Sequence, residues 1–571
     1  MFSSVFCYLT RVDHAPRFFF VPLVVGLSLF SGCGEKSTLS FSVLTPQEDP
    51  FSGVTSITIK VGDLEKTEEI SDPSQISMSL DASYGAQVHL ELLGTNAAGD
   101  VICSGKSPYF YAVGASQRLK LWVSRGGELS LHPEKLETAA GNLAIADYVN
   151  EDWDDVDDDL LYSFWFGGCD GTGLPVDLNG YFDPYLQEST PLPDMADSSS
   201  WLDPVVPVAP RCGSVAMYID SGMFLVYGGT DSNGSPGDKM YLAMVRSGEY
   251  KYLPLRLECG DGVDNDGDGF TDVEDESCDD EYGAGEGPGD WSRSGARKVT
   301  LGPYLGLYDD GNYQILNNYL ITGGINNSST RSATAFHVTA KISTQTLDYA
   351  FDMEAIELLE PRGSSHTVTL TTSLENDVEV RTVLIYGGTE DATGVFTAET
   401  LRYQIDWSDP GWGWSWVQNG YVVDADENVL PPVTGHAAAT LTDGTILVAG
   451  GKTSDGTRLA DAWLFHPRMN EIEHLPNFLD EPRAGHTLTR SGNVVLVAGG
   501  EDGSGELAED ALVLVDDRLN GQLEQTGRTP MNVPRWGHSA MLLGNGEVAL
   551  IGGFDANSQP LSSIEIFNPR F

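Results

Sequence analysis

The sequence predicts an all-β protein, with a small sheet domain near its start and a long array of repeated β units after it. Three observations predict this. A short apolar run ending in two glycines recurs seven times, most clearly at 446–451, 495–500 and 548–553. Strict alternation of apolar and polar residues, as in Ser56-Ile57-Thr58-Ile59-Lys60-Val61, marks half-buried strands ahead of the array. Turn signals such as Asp443-Gly444 and Asn545-Gly546 separate runs too short for helices. Repetition on this scale belongs to propellers, solenoids or arrays.

Residues 1–33 read as an export signal. Arg11 and Arg17 precede an apolar stretch from Phe18 to Phe30, shorter than the roughly 20 residues a membrane span needs. It ends in Phe30-Ser31-Gly32-Cys33, which resembles a bacterial lipobox, with Phe30 where that box usually has Leu. The resemblance implies cleavage before Cys33 and transfer of a diacylglycerol to its thiol. Gly34 stands where an Asp would signal retention in the inner membrane, so an outer-membrane or cell-surface anchor is expected.

Residues 38–125 alternate in the manner of antiparallel strands, at 56–61, at 87–92 and at Leu119-Lys120-Leu121-Trp122-Val123. A β-sandwich of the immunoglobulin-like kind fits this length. Its expected role is a spacer between the anchor and the array.

The array fills 127–571. Gly-His pairs at 435–436, 485–486 and 537–538 precede the last three doublets, leaving room for two short strands and a turn. Two glycines permit a positive φ or a backbone approach that a Cβ would block. A polar loop and a third apolar strand, such as Ala462-Trp463-Leu464-Phe465, follow. Arg483-Ala484-Gly485-His486 and Arg535-Trp536-Gly537-His538, with Phe465-His466-Pro467 and Phe567-Asn568-Pro569 closing third strands, resemble the kelch repeat. That resemblance implies a kelch-type β-propeller, one four-stranded blade per repeat and seven blades in all. The last repeat stops after its third strand, and Glu128-Leu129-Ser130-Leu131-His132 is a spare strand ahead of the first. Pairing the two would close the ring and cover both edges.

Successive doublets are about 50–65 residues apart except between Gly228 and Gly323, where an insertion at 258–290 adds length. It contains Asp264-Asn265-Asp266-Gly267-Asp268-Gly269-Phe270-Thr271-Asp272-Val273-Glu274-Asp275. The order of carboxylates follows a calcium loop, with Asp264, Asp266, Asp268, Asp272 and Asp275 as side-chain ligands and Phe270 at the backbone-carbonyl position. Hard oxygen donors favour Ca²⁺. Without evident flanking helices, the segment resembles thrombospondin type 3 loops, and Asp275 stands where an EF-hand has Glu.

Cysteine placement agrees with an oxidising compartment. Cys259 and Cys278 bracket the acidic loop, and Cys169 and Cys212 fall at neighbouring strand ends, so both are disulfide candidates; Cys103 is left as a buried thiol. The formal net charge of −52 is spread along the chain and disfavours nucleic acid and anionic surfaces. No nucleophile elbow, phosphate loop or zinc signature is present, and the copper site of galactose oxidase, a kelch propeller, has no counterpart. His366, His436, His486 and His538 occupy the repeat's own position and are expected to bond the turn. Trp412, Trp414 and Trp416, with Trp407 nearby, could form a platform or pack between blades. The expected function is a surface binding module for a protein or glycan, not an enzyme. A carbohydrate-acting enzyme and an architectural envelope protein are the alternatives.

Overall fold

Alternating apolar side chains fold the first part of the chain into two facing sheets. The computed structural model describes residues 36–69, 79–83, 85–112, 116–146, 163–191, 211–220, 223–237, 240–244, 252–255, 292–302, 308–309, 313–326, 328–343, 349–363, 366–375, 378–388, 398–405, 414–422 and 433–570. One sheet orders Ser79–Ser83, Lys36–Leu44 and Ser116–Trp122; the other orders Ser124–Arg125, Val101–Lys106, Leu90–Thr95, Ser56–Val61 and Leu64–Glu69. Ile57, Ile59, Leu92, Leu119 and Leu121 meet between them, with Cys103 buried among them. Burial pushes the Cys103 thiol up to about 12, so it stays protonated.

One strand departs from expectation. Ser116–Trp122 runs parallel to Lys36–Leu44, Phe41 opposite Leu119, rather than antiparallel. The two lie at opposite ends of the domain sequence, and the intervening strands supply the crossover that parallel pairing needs.

Seven antiparallel sheets of four main strands follow among the described residues. Their innermost strands, which number the blades here, are Ala144–Ala146, Cys212–Asp220, Arg297–Thr300, His366–Glu375, Ala437–Thr440, Thr487–Ser491 and Ser539–Leu542. Each is adjacent to the next, and the seventh adjoins the first, which makes a closed β-propeller. Second strands such as Val494–Ala498 are buried on both faces, which explains their unbroken apolar runs. Their side chains fill cores between blades: Leu384 and Tyr386 of blade 4 pack with Val448 and Trp463 of blade 5.

Closure follows the spare strand. Leu129 pairs with Phe567 and Ser130 with Ile566, so Leu129–Lys135 is the outer strand of blade 7. Thr529 Oγ1 of blade 6 accepts from Leu129 N at 3.0 Å and secures it.

Inner strands run from the doublet face to the opposite face, and the sandwich docks on that opposite face. Asn545, in the first turn of blade 7, donates from Nδ2 to Lys106 O at 3.0 Å. Asn568 Nδ2 donates to Ser104 O and Ser124 O, each at 3.1 Å. Lys120 N donates to Tyr185 O of blade 1 at 3.0 Å. Trp122, fully buried, extends the core shared by blades 7 and 1. The doublet face carries no part of the sandwich in these contacts.

Candidate functional site

Each residue of the repeat motif has a structural task, and together they shape the ring's open mouth. Both glycines of every doublet have positive φ. A Cβ on Gly450 would stand 2.4 Å from Arg483 O, and one on Gly499 2.5 Å from Arg535 O. The second glycine then donates to that carbonyl: Gly451 N to Arg483 O at 2.7 Å, Gly500 N to Arg535 O at 2.9 Å and Gly229 N to Arg293 O at 2.7 Å. The doublet is therefore a blade-to-blade joint, close enough that only glycine fits.

Three arginines that precede an inner strand each reach an acid on the third strand of the blade which that inner strand begins. Arg362 pairs with Glu399 at 2.8 Å and Arg535 with Glu565 at 2.6 Å, all four side chains fully buried; Arg483 pairs with Asp510. Arg535 Nη1 also donates to Gly552 O at 2.9 Å, and Glu565 accepts from Asn532 N and Val533 N. These acids fall 37, 30 and 27 residues after their arginines (399 − 362, 565 − 535, 510 − 483), a spacing too variable to read from sequence.

Three of the four histidines, His366, His436 and His538, also hydrogen-bond between blades. His436 Nε2 lies 2.9 Å from Thr367 Oγ1 and 3.1 Å from Tyr386 O, both on blade 4. His366 Nε2 meets Thr322 Oγ1 of blade 3 at 2.7 Å, and its Nδ1 meets Gly363 O at 2.6 Å. His538 Nε2 reaches Thr487 Oγ1 of blade 6 at 3.0 Å. The expectation that they bond their own turn is thus only part of the arrangement, since mostly they reach back to the previous blade. Burial holds all four imidazoles down to about 3, so they are neutral at physiological pH.

Among the described residues, the chain beyond a doublet turns out into a loop at the mouth. The residue after the doublet bridges to the segment leading into the inner strand and to the far side of its own loop. Examples are Lys452 with Thr434 and Arg458, Glu501 with Ala484 and Leu507, and Phe554 with Trp536 and Pro560. An Asp or Asn caps the loop: Asp170 Oδ1 accepts from Thr172 N, Thr172 Oγ1 and Leu174 N, and Asp555 Oδ1 from Asn557 N and Gln559 N. Hydrogen bonds of this kind, led by Thr172, Ser504 and Ser235, hold Asp170, Asp502 and Asp231 below the usual carboxylate range. These carboxylates are ionised but committed to their own loops.

An aromatic pair interrupts this polar rim. Trp536 lies tilted on Phe554, ring centroids 4.8 Å apart, and its Nε1 donates to Asp555 O at 3.3 Å. Phe554 is buried against Gly141 of blade 1, where a Cβ would stand 2.1 Å from its ring, whereas Trp536 is 37% exposed. On the neighbouring blade 1 loop Leu174 is exposed as well. On the loops of blades 5 and 6, Arg458 and Glu501 form an ion pair at 2.6 Å. Trp536 occupies the variable position of Arg-x-Gly-His, which is why the motif did not single it out.

The structure joins Cys169 and Cys212 in a disulfide that staples blade 1 to blade 2 at the mouth. Trp414 and Trp416 lie on the outer strand Trp414–Val422 of blade 4, opposite Ile405 and Tyr403. Trp407, Trp412, Cys33, Cys259, Cys278 and the loop residues Asp264, Asp266, Asp268, Phe270, Asp272 and Asp275 lie outside the described residues. The residues flanking the insertion, Leu255 and Ser292, are described. Leu255 pairs with Met240, which pairs with Tyr227 beside the Gly228-Gly229 doublet, so the strand Tyr252–Leu255 ends at the mouth face.

No family model matches the chain. It is 33% identical over 168 residues to the flagellar outer-arm dynein alpha chain of Chlamydomonas reinhardtii. An acyl-CoA-binding domain-containing protein of Arabidopsis thaliana is 24% identical over 176 residues, and an F-box/kelch-repeat protein of the same plant 29% over 143. These stretches cover 28%, 30% and 22% of this chain, which spans only 4%, 25% and 29% of those proteins. The solved structure of YjhT matches with 16% identity and a TM-score of 0.32, over 63% of this chain and 95% of that one. Over those 143 residues the chain is similar to a kelch-repeat protein, and its ring is a β-propeller.

Proposed function

We propose that the ring is a binding module that engages a protein or glycan at its open mouth, with Trp536 as the aromatic anchor. The carrying observation is the exposed Trp536, held rigid on buried Phe554, on the face that the sandwich leaves uncovered. A rigid aromatic beside polar loops is the usual anchor of such an interface. The mouth carboxylates favour binding over hydrolysis, since Asp170, Asp231, Asp502 and Asp555 are each engaged by their own loop.

The same geometry suits a surface-anchored protein. Lys36–Leu44 runs towards the ring, where Leu44 joins the core beside Trp122, so Lys36 lies at the sandwich's far end. Nine residues of strand span about 30 Å. A lipid on Cys33 would then hold the ring off the bacterial outer membrane with its mouth turned away. Changing Cys33→Ser should abolish palmitate labelling, and unchanged labelling would exclude the anchor. The insertion would bind a structural Ca²⁺ through Asp264, Asp266, Asp268, Asp272 and Asp275, with a bridge between Cys259 and Cys278 holding its ends. The binding reading is tested by glycan-array and native-envelope capture with the ectodomain. Trp536→Ala should weaken the captured partner at least about tenfold, and an unchanged affinity would remove the mouth from consideration.

A further inference from the structure

A fully buried carboxyl lies at the seam between sandwich and ring. Glu547 follows the Asn545-Gly546 turn of blade 7, on the face where the sandwich docks. Asn545 Nδ2 donates both to Lys106 O, at 3.0 Å, and to Glu547 Oε2, at 2.8 Å, so one amide ties the acid to the sandwich backbone. Arg570 is its ion-pair partner, but Nη1 stands 3.7 Å from Glu547 Oε1, outside hydrogen-bonding distance, and Oε1 accepts no hydrogen bond. Arg570 instead spends Nη2 on Asn545 O at 2.7 Å, and its backbone N donates to Asn568 Oδ1 at 3.2 Å. From the sandwich side the charged and titratable groups are Lys106, His89 and Glu91, with Lys106 and His89 both packed on the Tyr109 ring. A carboxylate so placed has lost its water without gaining a full set of donors, which makes its ionised form costly.

We infer that Glu547 is a proton-operated latch: its neutral form lets the sandwich seat on the ring, and its ionisation loosens the seam. Burial pushes its pKa up to about 7 from the ordinary 4.5, against the opposing pull of Arg570 and Asn545. The seated state therefore holds a proton that the loosened state releases. Its contribution to seating is full below about 4.5 and is lost as pH rises through about 7. His89 works the other way. Burial first, then Lys106, lower its pKa below 6.5, so seating is opposed as pH falls under that value. Lys106 is also lowered, by burial and then Arg570.

The isosteric change Glu547→Gln keeps an acceptor for Asn545 and removes the proton, leaving the His89 effect in place. The backbone amide Lys120 N, which donates to Tyr185 O, crosses the seam and reports its opening. Its hydrogen exchange should be measured in the full ectodomain of both forms at pH 6 and pH 8. The seam-opening constant of the wild type relative to E547Q should grow about tenfold between the two. A ratio that stays constant overturns the latch. Should E547Q not fold, carboxyl-carbon NMR of the wild-type ectodomain decides: a Glu547 midpoint near 7 supports the latch, and one near 4.5 overturns it.

Discussion

Adding one methyl group to Gly499 tests whether the doublets are joints between blades. Gly499 has φ +66°, and a Cβ there would meet Arg535 O at 2.5 Å and His538 Cε1 at 2.6 Å, both belonging to the next blade. Gly456, in the loop beyond the preceding doublet, has φ +87° with nothing within 4 Å of the same added atom. Gly456→Ala therefore measures the left-handed backbone alone, about 1–2 kcal/mol. Gly499→Ala carries that cost and two more. Backing the blades apart by a fraction of an ångström costs about 1–3 kcal/mol. Weakening the bond from Gly500 N to Arg535 O, now 2.9 Å, removes about 1 kcal/mol more. The loss at Gly499 should thus reach about 3–6 kcal/mol. Urea unfolding of the two variants beside wild type gives the comparison directly. Equal losses, within about 0.5 kcal/mol, would mean that the doublet serves local backbone geometry and not the joint.

Arg535→Ala leaves Glu565 buried and unpaired and should cost about 3–5 kcal/mol. Arg458→Ala breaks a partly exposed pair and should cost under about 1 kcal/mol in the same urea assay; similar losses would contradict the burial argument. In the insertion, calcium titration should reveal one site that protects residues 260–276 from proteolysis. Asp264→Ala combined with Asp268→Ala should abolish both effects while leaving the blades' melting nearly unchanged, and wild-type affinity in the double variant would refute the assignment.

The sequence made some levels legible and hid others. Glycine doublets were readable because a positive φ against a neighbouring carbonyl admits almost no other residue. The closing strand at 129–135 was readable because a blade missing one strand leaves an edge that must be paired. Cys169 and Cys212 could be matched because the repeat places both at the mouth. The acids Glu399, Asp510 and Glu565 were hidden, since loop length shifts them along the chain while the ring keeps them in place. Parallel pairing at 116–122 was hidden as well: alternation reveals which side chains face inward, but not the direction of the neighbouring strand. Docking of the sandwich through Asn545 and Asn568 depends on two polar side chains that in sequence look like ordinary turn residues. Trp536 was hidden by lying at a position the motif leaves free.

The central claim is that the mouth, and not another surface, meets the partner. A photo-crosslinking amino acid placed at position 536 in cells, with a second variant carrying it at Leu519 on the opposite side of blade 6, tests this most directly. Leu519 is 78% exposed, in a turn at the far end of the blade, so it controls for chance encounters. A partner bound at the mouth should give a discrete adduct from position 536 and none from 519. The same adduct from both positions, or from 519 alone, would contradict the account.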